Sequence, residues 1–443
     1  MGKEGWIMKQ GGKIKSWKKR WFILNGLNLN YYDKKGGKEA GSINLKTASE
    51  VSLAPDCKKQ PAFKIVTPDR TYYLSTESSQ EASDWIKAIG EARKDSSAKS
   101  VAASVPQVAP KKITLDDFEI ISVLGRGGYG KVQLVRFKED GQLYALKSMS
   151  KHLIEESGQI QQTLTERDVL LKTVHPFLVG AHHTFQTAEK IFLVLDYVPG
   201  GELFGRLKEE ERFSESRVRL YAAEILLGLG QLHSLGFVYR DLKPENILVD
   251  AEGHLKITDF GLAKGKMNSG ATTTTFCGTP EYVAPEMLRQ EPYTKSVDWW
   301  SYGILIYEML TGLPPFFDEN TNRMYQMILK DDVVFPDDLS PDVQDLISKL
   351  LNKYPQARLG AGPKDFEDIK AHKFFSSLQW DKVLAKKYTP EWKPHMKNAT
   401  DTSNFDEEFT AEPNVISYED PSLIGKKTQA EFEGFTCTQD SLF

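Results

Sequence analysis

The segment 239–246 carries three side chains whose types and spacing suit phosphoryl transfer. Asp241 is followed by Lys243 two residues later and by Asn246 five residues later. A carboxylate can accept the proton of an attacking hydroxyl, an ammonium can stabilise charge on a moving phosphoryl group, and an amide oxygen can bind magnesium. Taken alone, the segment could also be a polar surface loop that leads into a short apolar strand, so the neighbouring motifs decide its meaning.

A glycine-rich turn lies upstream, between two patterns typical of β-strands at 118–124 and 131–137. A dinucleotide-binding turn would instead open a helix, so we predict a hairpin whose backbone amides face phosphate groups. The predicted nucleotide contacts in and beside the turn are Leu124, Gly125, Arg126, Gly127, Gly128, Tyr129, Gly130, Lys131 and Val132.

Three further charged residues fit the binding of a nucleoside triphosphate. Lys147 ends a predicted third strand, and Glu166 lies nineteen residues on in a stretch with helical character. An ion pair between these two would direct the ammonium at the α- and β-phosphates. Asp259, in Asp-Phe-Gly, would supply a second magnesium ligand beside Asn246, and Ala-Pro-Glu at 284–286 ends the segment that follows.

The order and spacing of these motifs make residues 118–375 resemble the eukaryotic protein kinases of the Ser/Thr class. The resemblance implies a two-lobed fold that uses ATP and two magnesium ions. It places the general base at Asp241, the phosphoryl-stabilising cation at Lys243, the ion pair at Lys147 and Glu166, and the magnesium ligands at Asn246 and Asp259. It also implies adenine contacts from the backbone of Asp196 and Val198, after Leu195 at the gatekeeper position, and structural ion-pair roles for Asp298 and Arg358.

Several segments narrow the resemblance to the AGC group and, within it, to the protein kinase B family. Cys-Gly-Thr-Pro-Glu-Tyr at 277–282 and Asp-Trp-Trp at 298–300 are typical of the group. The chain then adds a segment at 405–411 like the part of the family's tail that passes the nucleotide, and a hydrophobic motif, Phe-Glu-Gly-Phe-Thr-Cys, at 432–437. We therefore expect an AGC-type tail over 376–443.

The same resemblance implies regulation by upstream activating kinases. The expected phosphorylation sites are Thr275 in the activation segment, Thr436 in the hydrophobic motif and Ser417 at the turn-motif position, and the cations expected to hold the Thr275 phosphate are Arg240 and Lys264. Three positions depart from the family. Gln162 replaces a histidine of the regulatory helix, Ala181 replaces a larger residue, and Tyr418 follows Ser417 where the family has proline.

Substrate choice is expected to follow from charge. Glu202, Glu245 and Glu308 match acidic positions with which this group recognises arginine upstream of the acceptor. Carboxylates suit the two-pronged guanidinium group, so arginine should be preferred to lysine. The expected substrates are proteins whose Ser or Thr acceptor is preceded by Arg.

The first 94 residues form a basic unit, with 18 Lys and Arg against 10 Asp and Glu, a net charge of +8. The remaining residues, 95–443, contain 39 Lys and Arg against 51 Asp and Glu, which gives a net charge of −12. A basic unit favours an anionic partner such as a lipid headgroup or a nucleic acid. Short aromatic and β-branched runs precede a helical pattern at 79–93 that contains Trp85, which predicts a small barrel closed by a helix.

Basic residues cluster on the first predicted hairpin and include Lys13, Lys15 and Lys19. The pattern resembles a phosphoinositide-binding pleckstrin homology (PH) domain, and the resemblance places the phosphate ligands at Lys9, Lys18, Arg20 and Arg70. A solvated hairpin is the alternative interpretation of such a run of charge. Strand-borne cations beside a tryptophan-bearing helix make a nucleic-acid partner the poorer expectation.

The whole chain is expected to be a multidomain α+β protein. A PH-type β-barrel with a C-terminal helix at 1–94 would precede a flexible, proline-punctuated linker at 95–117 and a two-lobed kinase fold at 118–375 with its tail. Three scattered cysteines fit a reducing compartment, and no signal peptide, acylation signal or apolar run of about 18 residues is apparent. We expect a cytoplasmic monomer that is recruited reversibly to the plasma membrane.

Two other functional classes remain open from the sequence. One is a lipid-binding adaptor whose kinase domain is inactive, although the residues expected to bind ATP and perform the transfer are all present. The other is a cytosolic kinase whose PH domain binds a protein. Binding to phosphoinositide vesicles is the observation that separates a lipid partner from a protein partner.

Overall fold

The computed structural model describes residues 3–10, 16–37, 39–46, 48, 50–54, 57, 59–67, 70–98, 113–267 and 271–438. The chain forms two compact units, within 1–111 and 112–443. Lys13, Lys15 and most of the expected linker lie outside the described residues. No helix in the described ranges is both long enough and apolar enough to cross a bilayer.

The N-terminal unit is one antiparallel sheet with a single helix. Its elements are β1 (Glu4–Gln10), β2 (Trp17–Asn25), β3 (Asn28–Tyr32), β4 (Glu39–Asn44), β5 (Glu50–Leu53), β6 (Ala62–Val66), β7 (Thr71–Ser75) and α1 (Ser79–Ala98). The strand order is β4-β3-β2-β1-β7-β6-β5. Alternate residues of these strands bury one face, because successive side chains of a strand point to opposite sides.

Helix α1 covers the buried face of this sheet. Ala82, Trp85 and Ile89 recur at helical spacing and are fully buried against Ile7 and Phe63 of the strands. The helix begins after Ser78, whose hydroxyl oxygen accepts a hydrogen bond from the amide of Glu81. The predicted sheet-and-helix unit is confirmed.

The second unit begins with a small lobe built on a five-stranded sheet and two helices. Its elements are β8 (Phe118–Gly127), β9 (Gly130–Phe137), β10 (Leu143–Ser150), α2 (Lys151–Glu156), α3 (Ile160–Lys172), β11 (Ala181–Gln186) and β12 (Lys190–Asp196). The glycine-rich turn joins β8 to β9, which pair antiparallel, so the turn is a hairpin and not the start of a helix.

A helical large lobe and a tail follow. The large-lobe elements are α4 (Leu203–Glu210), α5 (Glu215–Ser234), β13 (Ile247–Val249), β14 (Leu255–Ile257), α6 (Pro285–Leu288), α7 (Val297–Thr311), α8 (Thr321–Lys330), α9 (Pro341–Leu350) and α10 (Phe366–Lys370). The tail elements are α11 (Trp380–Leu384), α12 (Glu407–Thr410), α13 (Lys426–Glu431) and β15 (Cys437–Thr438). The predicted α+β architecture is confirmed.

The tail returns to the small lobe and completes its sheet. Strand β15 pairs antiparallel with β11, which gives the order β15-β11-β12-β10-β9-β8. On the way, the tail passes close to the segment after β12. A Cβ added to Gly201, whose φ is +72°, would lie 2.1 Å from the carbonyl oxygen of Asn404. Only glycine fits there without strain, because both the backbone angle and the space exclude a side chain.

The large lobe contains a buried ion pair between Arg358 and Glu286. Two parallel hydrogen bonds of 2.7 and 2.9 Å join the guanidinium to the carboxylate, and neither residue is more than 3% exposed. A third donor–acceptor contact, to the carbonyl of Ser296 at 2.9 Å, ties the pair to the start of α7. A buried pair of this kind fixes one arrangement of its elements, because each charge would be costly without its partner.

Candidate active site

A cleft of about 490 Å³ lies between the two lobes of the second unit. All nine residues predicted in and beside the glycine hairpin line it, as do Leu195, Asp196 and Val198 at the end of β12. The predicted magnesium ligands, the predicted base and the Lys147–Glu166 pair line the same cleft. The tertiary structure therefore brings together residues spread over more than a hundred positions of sequence.

The ion pair between Lys147 and Glu166 is formed. The Lys147 Nζ lies 2.6 Å from the Glu166 Oε1 and 4.0 Å from the Asp259 Oδ1. Burial alone would lower the pKa of Lys147, but the two carboxylates outweigh it and hold that pKa above its ordinary value. A permanently charged ammonium at this point of the cleft is suited to binding phosphate oxygens.

The side chains of the segment 239–246 converge on one point. The Asn246 Nδ2 donates hydrogen bonds to the Asp241 Oδ2 at 2.7 Å and to the Asp241 carbonyl at 2.8 Å. The hydroxyl of Thr279 donates to the Asp241 Oδ1 at 3.2 Å and accepts from the Lys243 Nζ at 3.0 Å. Thr279, which sequence reasoning did not single out, thus links the carboxylate to the ammonium and orients both.

The position of this segment depends on the buried carboxylate of Asp298. Its two oxygens accept hydrogen bonds from the backbone amides of Tyr239 and Arg240, each at 2.8 Å. Arg240 has a φ of +69°, a strained conformation for a residue with a side chain, which these contacts help to hold. His233, also missed from sequence, lies 2.8 Å from Asp298 and 3.1 Å from Asp365.

The residues expected to hold magnesium provide suitable donors. Asp259 offers a carboxylate and Asn246 an amide oxygen, and oxygen donors are the ligands that Mg²⁺ prefers. Lys147 and the amide of Gly261 lower the pKa of Asp259, although burial opposes them, so that carboxylate is ionised. Within the described ranges, no group of three or more His, Cys, Asp or Glu side chains is arranged to hold a metal alone. A two-ligand site fits an ion that shares its coordination sphere with phosphate oxygens and water.

The part of the cleft beside the end of β12 has stabilising contacts that the sequence did not reveal. The Asp196 carboxylate is held by His182 at 2.8 Å and by Lys256 at 2.9 Å. Phe405 of the tail lines the cleft and stacks on Tyr197 with ring centroids 6.2 Å apart. The tail therefore contributes an aromatic side chain to the wall of the cleft beside β12.

The acidic residues expected to recognise arginine interact electrostatically, because burial and then the charge of Glu245 raise the pKa of both Glu202 and Glu308. Glu202 pairs through its backbone with Leu248, directly after the segment that contains Glu245. Glu308 is 8% exposed and accepts a hydrogen bond from the hydroxyl of Tyr282. Burial, followed by the carboxylates of Glu245 and Glu281, raises the pKa of Glu308 to about 8.

The activation segment places Thr275 at the surface, near the cations expected to hold its phosphate. The Arg240 Nη1 donates to the hydroxyl of Tyr293 at 3.1 Å, and that hydroxyl donates to the Thr275 carbonyl at 2.6 Å. The Lys264 Nζ donates to the hydroxyl of Thr273 at 2.6 Å. Tyr293 and Thr273 were not predicted, because no local pattern distinguishes them.

One predicted nucleotide contact has a different partner. The ammonium of Lys131 is hydrogen-bonded to the tail carboxylate of Glu412, whose other oxygen lies 3.7 Å from the guanidinium of Arg126. Arg126 and Lys131 are directly opposite each other on the β8–β9 hairpin. Two like charges in that position repel, so Glu412 serves as their counter-ion.

The hydrophobic motif docks on the small lobe. Phe432 and Phe435 are fully buried, whereas Thr436 is exposed. The hydroxyl of Thr184 donates to the Phe435 carbonyl at 2.6 Å, and Arg167 of α3 donates to the Gly434 carbonyl at 3.1 Å. The tail is thereby bound to the helix that carries Glu166.

In the N-terminal unit, the predicted lipid ligands continue the core-facing rows of two strands. Lys9 follows Ile7 by two positions on β1, and Lys18 and Arg20 precede Phe22 by two-residue steps on β2, so all three lie on the same face of the sheet as the core residues. Lys18 is exposed there, and Lys9 and Arg20 are half-buried. Burial, with Arg70 and Arg20 nearby, lowers the pKa of Lys9 to about 8.

Arg70 completes this cationic group. Its guanidinium lies 4.0 Å from the ring centroid of Tyr72, and its Nε is buried with no hydrogen-bond partner among the described residues. Arg20 is paired with Asp33. Converging cations with an unused buried donor are suited to a polyanionic ligand.

Comparison with known families gives three matches. The protein kinase domain family matches residues 118–375, the PH domain family matches residues 1–94, and the protein kinase C terminal domain family matches residues 396–437. The kinase match alone covers more than half of the chain.

Characterised relatives extend over almost the whole chain. A RAC family serine/threonine-protein kinase homolog of Dictyostelium discoideum is 43% identical over 440 residues, which are 99% of this chain and 97% of the relative. The human RAC-beta serine/threonine-protein kinase is 38% identical over 469 residues, covering 98% of this chain and 97% of the relative. The YPK1 serine/threonine-protein kinase of Saccharomyces cerevisiae is 48% identical over 326 residues, covering 74% of this chain and 48% of the relative.

Replacing Asp298 by Asn should impair phosphoryl transfer without unfolding the large lobe. The amide keeps one acceptor oxygen but loses the charge and the second acceptor, so the segment 239–246 shifts and kcat falls by about 10- to 100-fold. Steady-state kinetics, with circular dichroism as a check on folding, measures this. Asp345→Asn, at an exposed carboxylate of the same lobe, is the matched control; equal kcat values in the two variants would contradict the assignment.

Proposed function

The chain belongs to the protein kinase family, in the branch that joins a PH domain, a kinase domain and an AGC C-terminal domain, and on this premise we propose a specific cellular role for it. The enzyme is a serine/threonine protein kinase. In our proposal, phosphoinositide binding recruits it reversibly from the cytoplasm to the plasma membrane. There, phosphorylation at Thr275 and Thr436 activates it toward Ser or Thr preceded by Arg. The observation that carries the catalytic part is the formed Lys147–Glu166 pair in the same cleft as Asp241.

Asp241 acts as the general base. Its carboxylate is held between Asn246 and Thr279, which leaves it oriented toward the acceptor hydroxyl. The hydroxyl proton passes to Asp241 as the new oxygen–phosphorus bond forms and the bond to the departing diphosphate breaks, with that electron pair leaving on ADP. Lys243, 3.7 Å from the same carboxylate, stabilises the negative charge of the moving group.

The glycine hairpin, Lys147 and the end of β12 position ATP. The hairpin amides and Lys147 bind phosphate oxygens, while the backbone of Asp196 and Val198 binds adenine. Asn246 and Asp259 hold two magnesium ions. When bound, magnesium neutralises charge on the phosphates.

Activation by phosphorylation acts through charges already in place. A phosphate on Thr275 adds about −1.5 to −2 charge beside Arg240 and Lys264, whose present partners are uncharged hydroxyl and carbonyl groups. Arg240 belongs to the segment 239–246 and Lys264 follows Asp-Phe-Gly, so a phosphate that pairs with both cations orders the activation segment against the segment 239–246. Phosphate on Thr436 strengthens the docking of the hydrophobic motif against α3, near Arg167.

Substrate arginines bind the acidic residues beside the catalytic segment. After burial, the charge of Glu245 contributes to the raised pKa of both Glu202 and Glu308, which supports one shared guanidinium-binding region. Binding a guanidinium group there relieves the mutual repulsion of the carboxylates.

The PH unit binds the phosphorylated headgroup with Lys9, Lys18, Arg20 and Arg70. A dianionic phosphate would satisfy the unused Arg70 donor and stabilise the Lys9 ammonium, whose pKa is lowered by burial and then by the charges of Arg70 and Arg20. The partners proposed are therefore phosphoinositides, upstream activating kinases and protein substrates, with the chain acting as a monomer and binding no nucleic acid.

Asp241→Asn should abolish transfer to an Arg-x-Arg-x-x-Ser peptide. An amide cannot accept the proton, so kcat falls by at least about 100-fold. Transfer of labelled phosphate from ATP, after activation at Thr275, is the measurement. Asp337→Asn, at an exposed position of the same lobe, should retain wild-type activity. If the activated wild-type protein transferred no more than Asp241→Asn, a lipid-binding adaptor would be the better description.

Recognition of the substrate arginine should strengthen as pH rises from 6.5 to 9. Because the pKa of Glu308 is raised to about 8, its carboxyl is largely protonated at neutral pH and gains charge as the pH passes that value. The KM for an Arg-preceded peptide should fall by up to about tenfold. This pH-dependent fall in KM should be absent in the Glu308→Gln variant, and absent in the wild type when the upstream Arg of the peptide is replaced by Ala. An equal fall in the wild type with the Arg peptide and in both of these controls would refute the role of Glu308.

Arg20→Ala should weaken binding to vesicles that contain a 3-phosphoinositide. Loss of one cation near the anionic surface should reduce the affinity by about fivefold or more. Vesicle pelleting measures this, with Lys87→Ala, an exposed position on α1, as the control for lost charge. Equal binding by wild type and Arg20→Ala would favour a protein partner for this unit.

A further inference from the structure

A carboxylate of the tail occupies the site at which phosphate on Ser417 would be expected to bind. The Glu419 Oε1 lies 2.6 Å from the Lys190 Nζ, and the Glu419 Oε2 accepts a hydrogen bond of 2.6 Å from the Ser150 hydroxyl. The hydroxyl of Ser417 lies 3.0 Å from the same Lys190 ammonium. One cation therefore faces both the expected phosphorylation site and a permanent negative charge.

The strand register explains why this carboxylate holds the tail firmly. Ser150 and Lys190 are directly opposite each other, at the end of β10 and the start of β12. The two oxygens of Glu419 bind one residue from each strand and so bridge the pair. Ser150 also begins α2, because its hydroxyl oxygen accepts from the amide of Leu153. A single tail residue thus contacts two strands and a helix start.

The burial of Lys190 makes this contact more than a surface ion pair. The Lys190 side chain is only 7% exposed and that of Glu419 is 23% exposed. A nearly buried ammonium without a carboxylate partner is costly, whereas exposed ion pairs contribute little. In the structure, Glu419 satisfies Lys190, whereas Ser417 is exposed.

We propose that Glu419 is a positioning residue that replaces the turn-motif phosphate in this kinase. It anchors the tail to the small lobe without modification of Ser417, so Ser417 phosphorylation is dispensable for docking. The downstream tail then reaches the contact between Gln429 and the buried Lys151 and the pairing of β15 with β11. The proposal deepens the tail regulation described above and rests on it only in treating the docked tail as the active arrangement.

Hydrogen–deuterium exchange of residues 426–437 in the full chain tests this, because it reports docking without any kinase assay. Glu419→Gln should accelerate exchange there by about tenfold or more. Ser417→Ala, and Glu431→Gln at an exposed carboxylate of the same tail, should leave the rate within about twofold of the wild type when phosphorylation of Thr436 is matched. If exchange were not faster in Glu419→Gln than in the control variants, while the protein still phosphorylated peptides, the role of Glu419 would be overturned and the kinase function would stand.

A charge rescue separates positioning from general damage. Because Ser417 faces the same ammonium, Ser417→Asp added to Glu419→Gln should return exchange to within about threefold of the wild type. Lys190→Met added to Glu419→Gln should also slow exchange, since it removes the unpaired charge. The proposal is overturned if Glu419→Gln leaves exchange unchanged, if neither second substitution restores protection, or if Ser417→Ala loosens the tail as much as Glu419→Gln does.

Discussion

The buried carboxylate of Asp298 is the constraint on which the catalytic arrangement depends. It accepts hydrogen bonds from the backbone amides of Tyr239 and Arg240 and contacts His233. One charged side chain therefore fixes the backbone directly before Asp241. The partners of a fully buried carboxylate can move little, because each hydrogen bond that is lost leaves part of the desolvation penalty of the carboxylate uncompensated. The strained φ of Arg240 is maintained by this site, and the same residue then reaches the activation segment.

The small lobe is complete only with the tail. Strand β15 adds to its sheet, Phe432 and Phe435 fill the surface beside α3, and Phe405 lines the nucleotide cleft. Each contact joins residues more than two hundred positions apart, so the tail supports both the helix that carries Glu166 and the adenine end.

Repulsion between like charges recurs at three places and points in each case to a partner. Burial, followed by the charges of Arg70 and Arg20, lowers the pKa of Lys9, and burial, followed by the charges of Glu245 and Glu281, raises that of Glu308. Arg126 faces Lys131 across a hairpin. For the hairpin, the counter-ion is part of the chain, namely Glu412. For the other two, the counter-charges proposed are a lipid phosphate and a substrate arginine.

The sequence by itself determined the α+β architecture, the kinase class and the motifs whose residues line one cleft. It could do so because glycine spacing, strand periodicity and short catalytic motifs are local properties of the chain. His233, Tyr293 and Glu419 carry no local signature, and only folding brings them to Asp298, Arg240 and Lys190. Thr279 lies in a recognisable motif, but only the fold shows its contact with Asp241. Hydrogen bonds and ion pairs act over a few ångströms in space, so partners far apart in sequence are decided by the tertiary structure alone.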